Sequence, residues 1–109
     1  MTYGKDAFIE EFKEHGFIAH IRNMDFRVIE GVRMIEKVRH FPSEDLGTDD
    51  TAEIIELLWS VPYYALRYEK FCVEMGADPD EYDQIVRELQ TVTRETMKTL
   101  VARLRSLAP

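Results

Sequence analysis

The chain has 109 residues, of which 45% are apolar and 32% charged, and its formal net charge is −7. This length and composition indicate one globular domain rather than a disordered chain. Proteins that bind nucleic acid usually present a basic face, so the excess of acids disfavours a nucleic-acid partner. The one cysteine, Cys72, excludes an intramolecular disulfide and a cysteine zinc site, and is typical of a reducing compartment.

The first fourteen residues carry six charged side chains, whereas a secretory signal needs an apolar run there. The longest uncharged run, 57–66, is far shorter than the roughly 18 apolar residues of a membrane-spanning helix. We therefore expect a cytoplasmic protein that does not act in a membrane.

Helical spacing of apolar residues begins in the first forty positions. A single helix over 6–40 would be about 52 Å long, which exceeds the later helices, and Gly16 offers a place for a break. We therefore expect a short helical arm over about 5–15 and a long helix over about 17–40. The alternative is an unbroken helix whose overhang docks on a second subunit. The apolar stripe of the long helix is Phe17, Ile21, Met24, Val28, Val32, Ile35 and Val38.

A second long helix is predicted over about 50–75, after a connection that contains Pro42 and Gly47. Asp50 and Glu53 resemble a capping box at its start. The helix is apolar over an arc too wide for two neighbours to cover, so either the N-terminal arm or a second subunit should pack on it. Pro62 removes a backbone hydrogen bond and should kink this helix.

The clearest local signal is the segment 75–81. Gly76 suits the left-handed residue just after a helix, Asp78 suits an N-cap, and Pro79 suits the first helical position. One helix ends and the next begins within about four residues, so the two should be antiparallel. The predicted fold is all-α: one domain over 1–109, an antiparallel bundle of three long helices (about 17–40, 50–75 and 79–107) with a short N-terminal helical arm (about 5–15).

Charge placement predicts an acidic pole. Residues 42–81 hold eleven acids and two bases. An antiparallel fold places basic residues beside the first connection and leaves the turn at 76–80, with Asp78, Asp80 and Glu81, as the acidic end. These acids could steer a basic partner to the surface, or they could serve only to oppose helix dipoles.

Four aromatic residues stand around Pro62: Trp59, Tyr63, Tyr64 and Tyr68. Aromatic side chains with polar tips are typical of protein-binding hot spots, although they also fill cores. We take these four, together with Asp78, Asp80 and Glu81, as candidate partner-binding residues.

No residue pattern indicates chemistry. The histidines at 15, 20 and 40 lack the Glu-x-x-His repeat of a di-iron bundle. The chain has no glycine-rich phosphate loop and no nucleophile elbow. We therefore predict no catalytic residue, no metal and no cofactor.

The favoured hypothesis is a non-enzymatic protein-binding module: a small acidic helical adaptor, inhibitor or immunity-type protein that forms a homodimer. One alternative is a small dimeric helical enzyme or ligand-binding domain, with its arginines directed into the bundle. The candidates for that role are Arg22, Arg27, Arg33 and Arg67. The other alternative is a helical regulator that contacts nucleic acid through its last helix, with Arg87, Arg94, Lys98, Arg103 and Arg105.

Overall fold

A computed structural model of the chain describes residues 16–41 and 47–107, and all regular secondary structure in these ranges is helical. The predicted all-α class is therefore confirmed. The predicted arm over 5–15 lies outside the described residues. Among the helices of these ranges, none has the length and hydropathy needed to cross a lipid bilayer. The helices are α1 (Phe17–Arg22), α2 (Val28–Arg39), α3 (Thr48–Arg67), α4 (Glu69–Glu74) and α5 (Pro79–Leu107).

The predicted helix over 17–40 begins at the expected residue, but a break divides it into α1 and α2, so the prediction of one continuous helix is wrong. At the end of α1 the Asp25 amide donates to the His20 carbonyl, and the Met24 amide donates to the Ile21 carbonyl, both at 2.9 Å. This pair of bonds is a Schellman motif, which requires a left-handed residue. That residue is Met24, with φ of 62°. Because glycine usually fills this position, no residue in the sequence indicated the break.

The break changes which apolar side chains are buried. Met24, Val28 and Val32 are exposed, although a continuous helix would bury them. Ile18 and Met34 are fully buried instead, because the loop resets the angular phase of α2 relative to α1. A side-chain contact ties the two helices together across the loop: the Nδ1 atom of His20 lies 2.7 Å from Oε1 of Glu30.

The predicted middle helix is also divided. It begins at Thr48 with Gly47 as its N-cap and without a side-chain capping bond, so the capping box predicted at Asp50 is wrong. The helix continues through Pro62 and ends at Arg67. The single residue Tyr68 separates it from α4, so the interruption lies beyond the proline rather than at it.

The turn between α4 and α5 agrees with its prediction. Gly76 has φ of 110°, and its amide donates to the Val73 carbonyl at 3.0 Å, as a Schellman motif requires. The Oδ1 atom of Asp78 accepts the Asp80 amide at 2.8 Å, so Asp78 is the N-cap. α5 begins at Pro79 and covers the predicted range 79–107.

The core lies where α5 packs along both α3 and α2. α2 approaches α5 closely at Gly31, where an added Cβ would stand 2.9 Å from Cγ2 of Ile85. Farther along, the Thr96 hydroxyl donates to the Val38 carbonyl at 3.1 Å. The buried residues of α5 include Tyr82, Val86, Leu89 and Leu100.

Candidate protein-binding groove

A groove of about 950 Å³ lies between α3 and α5. Its α3 side consists of Trp59, Pro62, Tyr63 and Leu66, spaced i, i+3, i+4 and i+7. This spacing places the four side chains on one helical face, next to the face that enters the core. α2 packs on α5 through other residues, so the groove is a separate surface of the molecule.

The apolar side chains of the groove are poorly covered. Trp59 is 61% exposed, Leu66 55% and Tyr63 46%. The α5 side adds Met97 and Val101, both half-buried. Exposed apolar side chains that are scattered singly need no explanation, but a contiguous set in a concave surface marks an interaction site.

Two of the aromatic rings form a flat plate. The ring centroids of Trp59 and Tyr63 are 5.5 Å apart and their planes differ by 13°. The Arg67 guanidinium donates to the Tyr63 hydroxyl at 3.2 Å, and this bond raises the pKa of Arg67. The plate is thus held by stacking on one side and by a hydrogen bond at the tyrosine tip, which reduces the side-chain entropy lost on binding.

Three cations, Arg94, Lys98 and Arg105, line the α5 side of the groove. All three are exposed, and within 16–41 and 47–107 none of them forms an ion pair. Among the described residues, those that line the groove include no Asp or Glu. The groove therefore combines an apolar floor with a positive edge, although the chain as a whole is negative.

The predicted aromatic set does not act as one cluster. Tyr64 and Tyr68 are half-buried and pack against the core rather than lining the groove. The guanidinium of Arg22 lies 5.7 Å from the centroid of the Tyr64 ring, which is a cation–π contact. Trp59 and Tyr63 are therefore the only two of the four predicted aromatic residues that line the groove.

The predicted acidic residues lie at the other end of α5. Asp78, Asp80 and Glu81 are exposed, but the axial distance from Asp80 to Lys98 is roughly 27 Å at 1.5 Å per residue. Asp78 uses its carboxylate to cap α5 by accepting the amides of Asp80 and Glu81. The structure therefore separates the acidic residues from the aromatic groove.

Of the residues proposed for the enzyme alternative, Arg27 and Arg33 line one pocket together with Glu30, whereas Arg22 and Arg67 do not line it. Arg22, Arg27, Arg33 and Arg67 are all exposed, on three helices and the loop before α2. No group of three or more His, Cys, Asp or Glu side chains within the described residues is placed to hold a metal ion.

The thiol of Cys72 is 1% exposed and donates to the Ile21 carbonyl at 3.6 Å. Burial raises its pKa, which keeps the thiol protonated and makes it a poor nucleophile.

Sequence reasoning missed the apolar part of the groove. Leu66, Met97 and Val101 were not chosen as candidates, and the three cations were considered only for nucleic-acid binding. The spacing from Trp59 to Leu66 was a usable signal for a second apolar stripe on α3. No pattern in the sequence showed that this stripe would face Met97 and Val101.

Comparison with known proteins adds no relative: the chain matches no family model, and no curated protein or solved structure shows significant similarity to it.

Proposed function

We propose that this chain is a non-enzymatic protein-binding module and that the groove between α3 and α5 is its binding surface. One observation carries the proposal: exposed apolar side chains at Trp59, Tyr63 and Leu66 share a single groove with three cations that form no ion pair with another described residue. The centres of protein interfaces are enriched in aromatic residues and arginine, as this groove is.

A groove between two helices is suited to a third helix. An amphipathic helix laid between α3 and α5 would bury its apolar face on Leu66, Met97 and Val101, with anchors at i, i+3, i+4 and i+7. This role agrees with that of a small cytoplasmic adaptor or inhibitor. It assumes that the three predicted long helices are antiparallel, with the first divided into α1 and α2 and the second into α3 and α4.

Two further features of the hypothesis are kept as predictions. Sedimentation velocity would test the expected homodimer. The acidic residues Asp78, Asp80 and Glu81 form a second surface, which would attract a basic partner independently of the groove.

The proposal is tested by affinity capture from the native organism with three forms of the chain: the wild type, Leu66→Asp and Ile29→Asp. Leu66 and Ile29 are similarly exposed aliphatic residues, at 55% and 66%, but only Leu66 lines the groove. We expect the wild type and Ile29→Asp to retain the same protein and Leu66→Asp to lose it. Capture that is unchanged by Leu66→Asp, or that recovers no protein with the wild type, would reject the proposal.

A further inference from the structure

We infer that the occupant of the groove is an acidic amphipathic helix of another protein. This inference rests on the proposed function and adds the chemistry of the partner. Its starting point is the sign of the charge at the groove: Arg94, Lys98 and Arg105 line it, and the part of the lining that the structure describes contains no acid to offset them.

The three cations form a line along the groove. They occur at positions i, i+4 and i+11 of α5, which places them within about 40° of one another around the helix and along about 16 Å of its axis. A bound helix has the same rise per residue. Acids spaced by four and seven residues on one flank of a partner helix would therefore meet all three cations, while its apolar face covers Leu66 and Met97.

A second copy of this chain fits the groove less well. In a two-fold symmetric dimer built on the groove the same patch appears on both subunits, so the cations Arg94, Lys98 and Arg105 of one subunit would lie against the same set on the other. Like charges brought together at an interface oppose its formation.

A nucleic acid also fits less well than a helix. The aliphatic floor at Leu66, Met97 and Val101 offers no hydrogen bonds to base edges. The exposed acids Glu88 and Glu95 on the same helix, and the net charge of −7, would repel a phosphate backbone.

The protein carries its own probe for this binding. Trp59 is the one tryptophan of the chain, and it lies exposed in the groove. A bound helix that lacks tryptophan would remove water from this ring and shift its emission to shorter wavelength.

The experiment uses a display library of helical peptides without tryptophan, selected against the full chain. Each peptide has a fixed apolar stripe at i, i+3, i+4 and i+7, and its flanking positions are randomised among Asp, Glu, Lys, Arg, Gln and Ser. We expect selection to enrich Asp and Glu at spacings of four and seven. A selected peptide, and its counterpart with lysine in place of each acid, are then titrated while the Trp59 emission is measured.

Matched variants test the site. We expect Lys98→Glu to weaken the binding of the acidic peptide by roughly three- to tenfold, because an attraction between charges becomes a repulsion. Arg87→Glu makes the same charge change on the same helix outside the groove and should alter the dissociation constant by less than about twofold. The lysine peptide should recover affinity for Lys98→Glu.

The outcomes separate the inference from the proposed function. If the selected peptides lose binding to Leu66→Asp but are not enriched in acidic residues, the inference is overturned and the groove remains a binding site for a helix. If every selected peptide still binds Leu66→Asp, both the inference and the proposed function are overturned. A dimer in sedimentation velocity that Leu66→Asp dissociates would assign the groove to a second copy. A Trp59 shift with a single-stranded oligonucleotide, reversed by Lys98→Glu, would assign it to nucleic acid. Either result would overturn the inference.

Discussion

The hydroxyl of Tyr82, in the first turns of α5, donates a hydrogen bond to the carbonyl of Ala65, 2.5 Å away near the end of α3. Carbonyls in the last turn of a helix lack an amide donor from their own helix. The Tyr82 hydroxyl is the donor to the Ala65 carbonyl instead. Because Tyr82 is fully buried, this bond fixes the start of α5 against the end of α3. The same two helices form the groove.

Replacing Tyr82 with phenylalanine would leave the buried Ala65 carbonyl without the hydroxyl donor. We expect Tyr82→Phe to lower the free energy of unfolding by about 1–2 kcal/mol. Urea denaturation followed by circular dichroism at neutral pH measures this. Tyr63→Phe is the control, since the exposed Tyr63 hydroxyl only accepts from Arg67, and it should cost less than about 0.5 kcal/mol. Equal effects of the two substitutions would contradict the role assigned to Tyr82.

The same burial predicts a dependence on alkaline pH. Burial raises the pKa of the Tyr82 hydroxyl above the ordinary tyrosine value of about 10. Below that pH the hydroxyl is protonated in both the folded and the unfolded state, so its contribution is complete. Above it the unfolded chain releases the proton while the folded chain keeps it, and the free energy of unfolding falls by up to about 1.4 kcal/mol per pH unit.

Tyr82→Phe separates this effect from other groups that titrate at alkaline pH, apart from Cys72, whose pKa is raised by burial and lowered by a hydrogen bond with Tyr82. We expect the stability difference between wild type and Tyr82→Phe to shrink as the pH is raised from about 9 to 11. Denaturant titrations of both proteins across this range provide the measurement. A difference that stays constant would show that Tyr82 does not titrate differently in the two states.

The two Schellman motifs provide a matched pair of backbone tests. Met24 occupies the left-handed position that glycine occupies at Gly76. We expect Met24→Gly to stabilise the protein by about 0.5–1 kcal/mol, because relief of the left-handed strain exceeds the entropy that glycine adds to the unfolded chain. Gly76→Ala should destabilise it by about 1 kcal/mol for the opposite reason. Thermal unfolding measures both, and a loss of stability in Met24→Gly would argue against the observed end of α1.

The contact between His20 and Glu30 predicts a difference between two histidines. The His20 and Glu30 side chains are only 16% and 12% exposed, so removing the imidazole leaves a largely buried carboxylate unpaired. We expect His20→Ala to cost about 1–3 kcal/mol. His40→Ala removes an exposed partner of Glu36 and should cost less than about 0.5 kcal/mol. Urea denaturation of the two variants compares them, and similar losses would show that the His20 contact does not stabilise the join between α1 and α2.

The features that could be predicted from the sequence depend on neighbouring residues. Gly76, Asp78 and Pro79 each have a local conformational preference, and together they placed the start of α5 correctly. The end of α1 could not be predicted, because Met24 adopts a conformation that its side chain does not favour. The interruption at Tyr68 was missed for another reason: the nearby Ala65 carbonyl accepts from the Tyr82 hydroxyl, which is seventeen positions away in the chain.

The candidate site was predicted only in part for the same physical reason. Trp59 and Tyr63 stand out as aromatic residues on an over-wide apolar helix. Their neighbours across the groove, Met97 and Val101, are ordinary members of an amphipathic helix until α5 is placed against α3. The positive charge that lines the groove was considered only for nucleic-acid binding, because composition does not report which face of a helix a lysine or arginine occupies.

The residues of α5 that enter the core and those that line the groove lie on one continuous helix of 29 residues. One residue inserted ahead of Arg94 would rotate every later side chain by about 100° and move Lys98, Val101 and Arg105 out of the groove. Substitution at an exposed position changes one contact, whereas a change in length displaces the core and the binding face together. Evolution of this protein should therefore preserve the spacing between Tyr82 and Arg105 more strictly than the identity of the exposed residues between them.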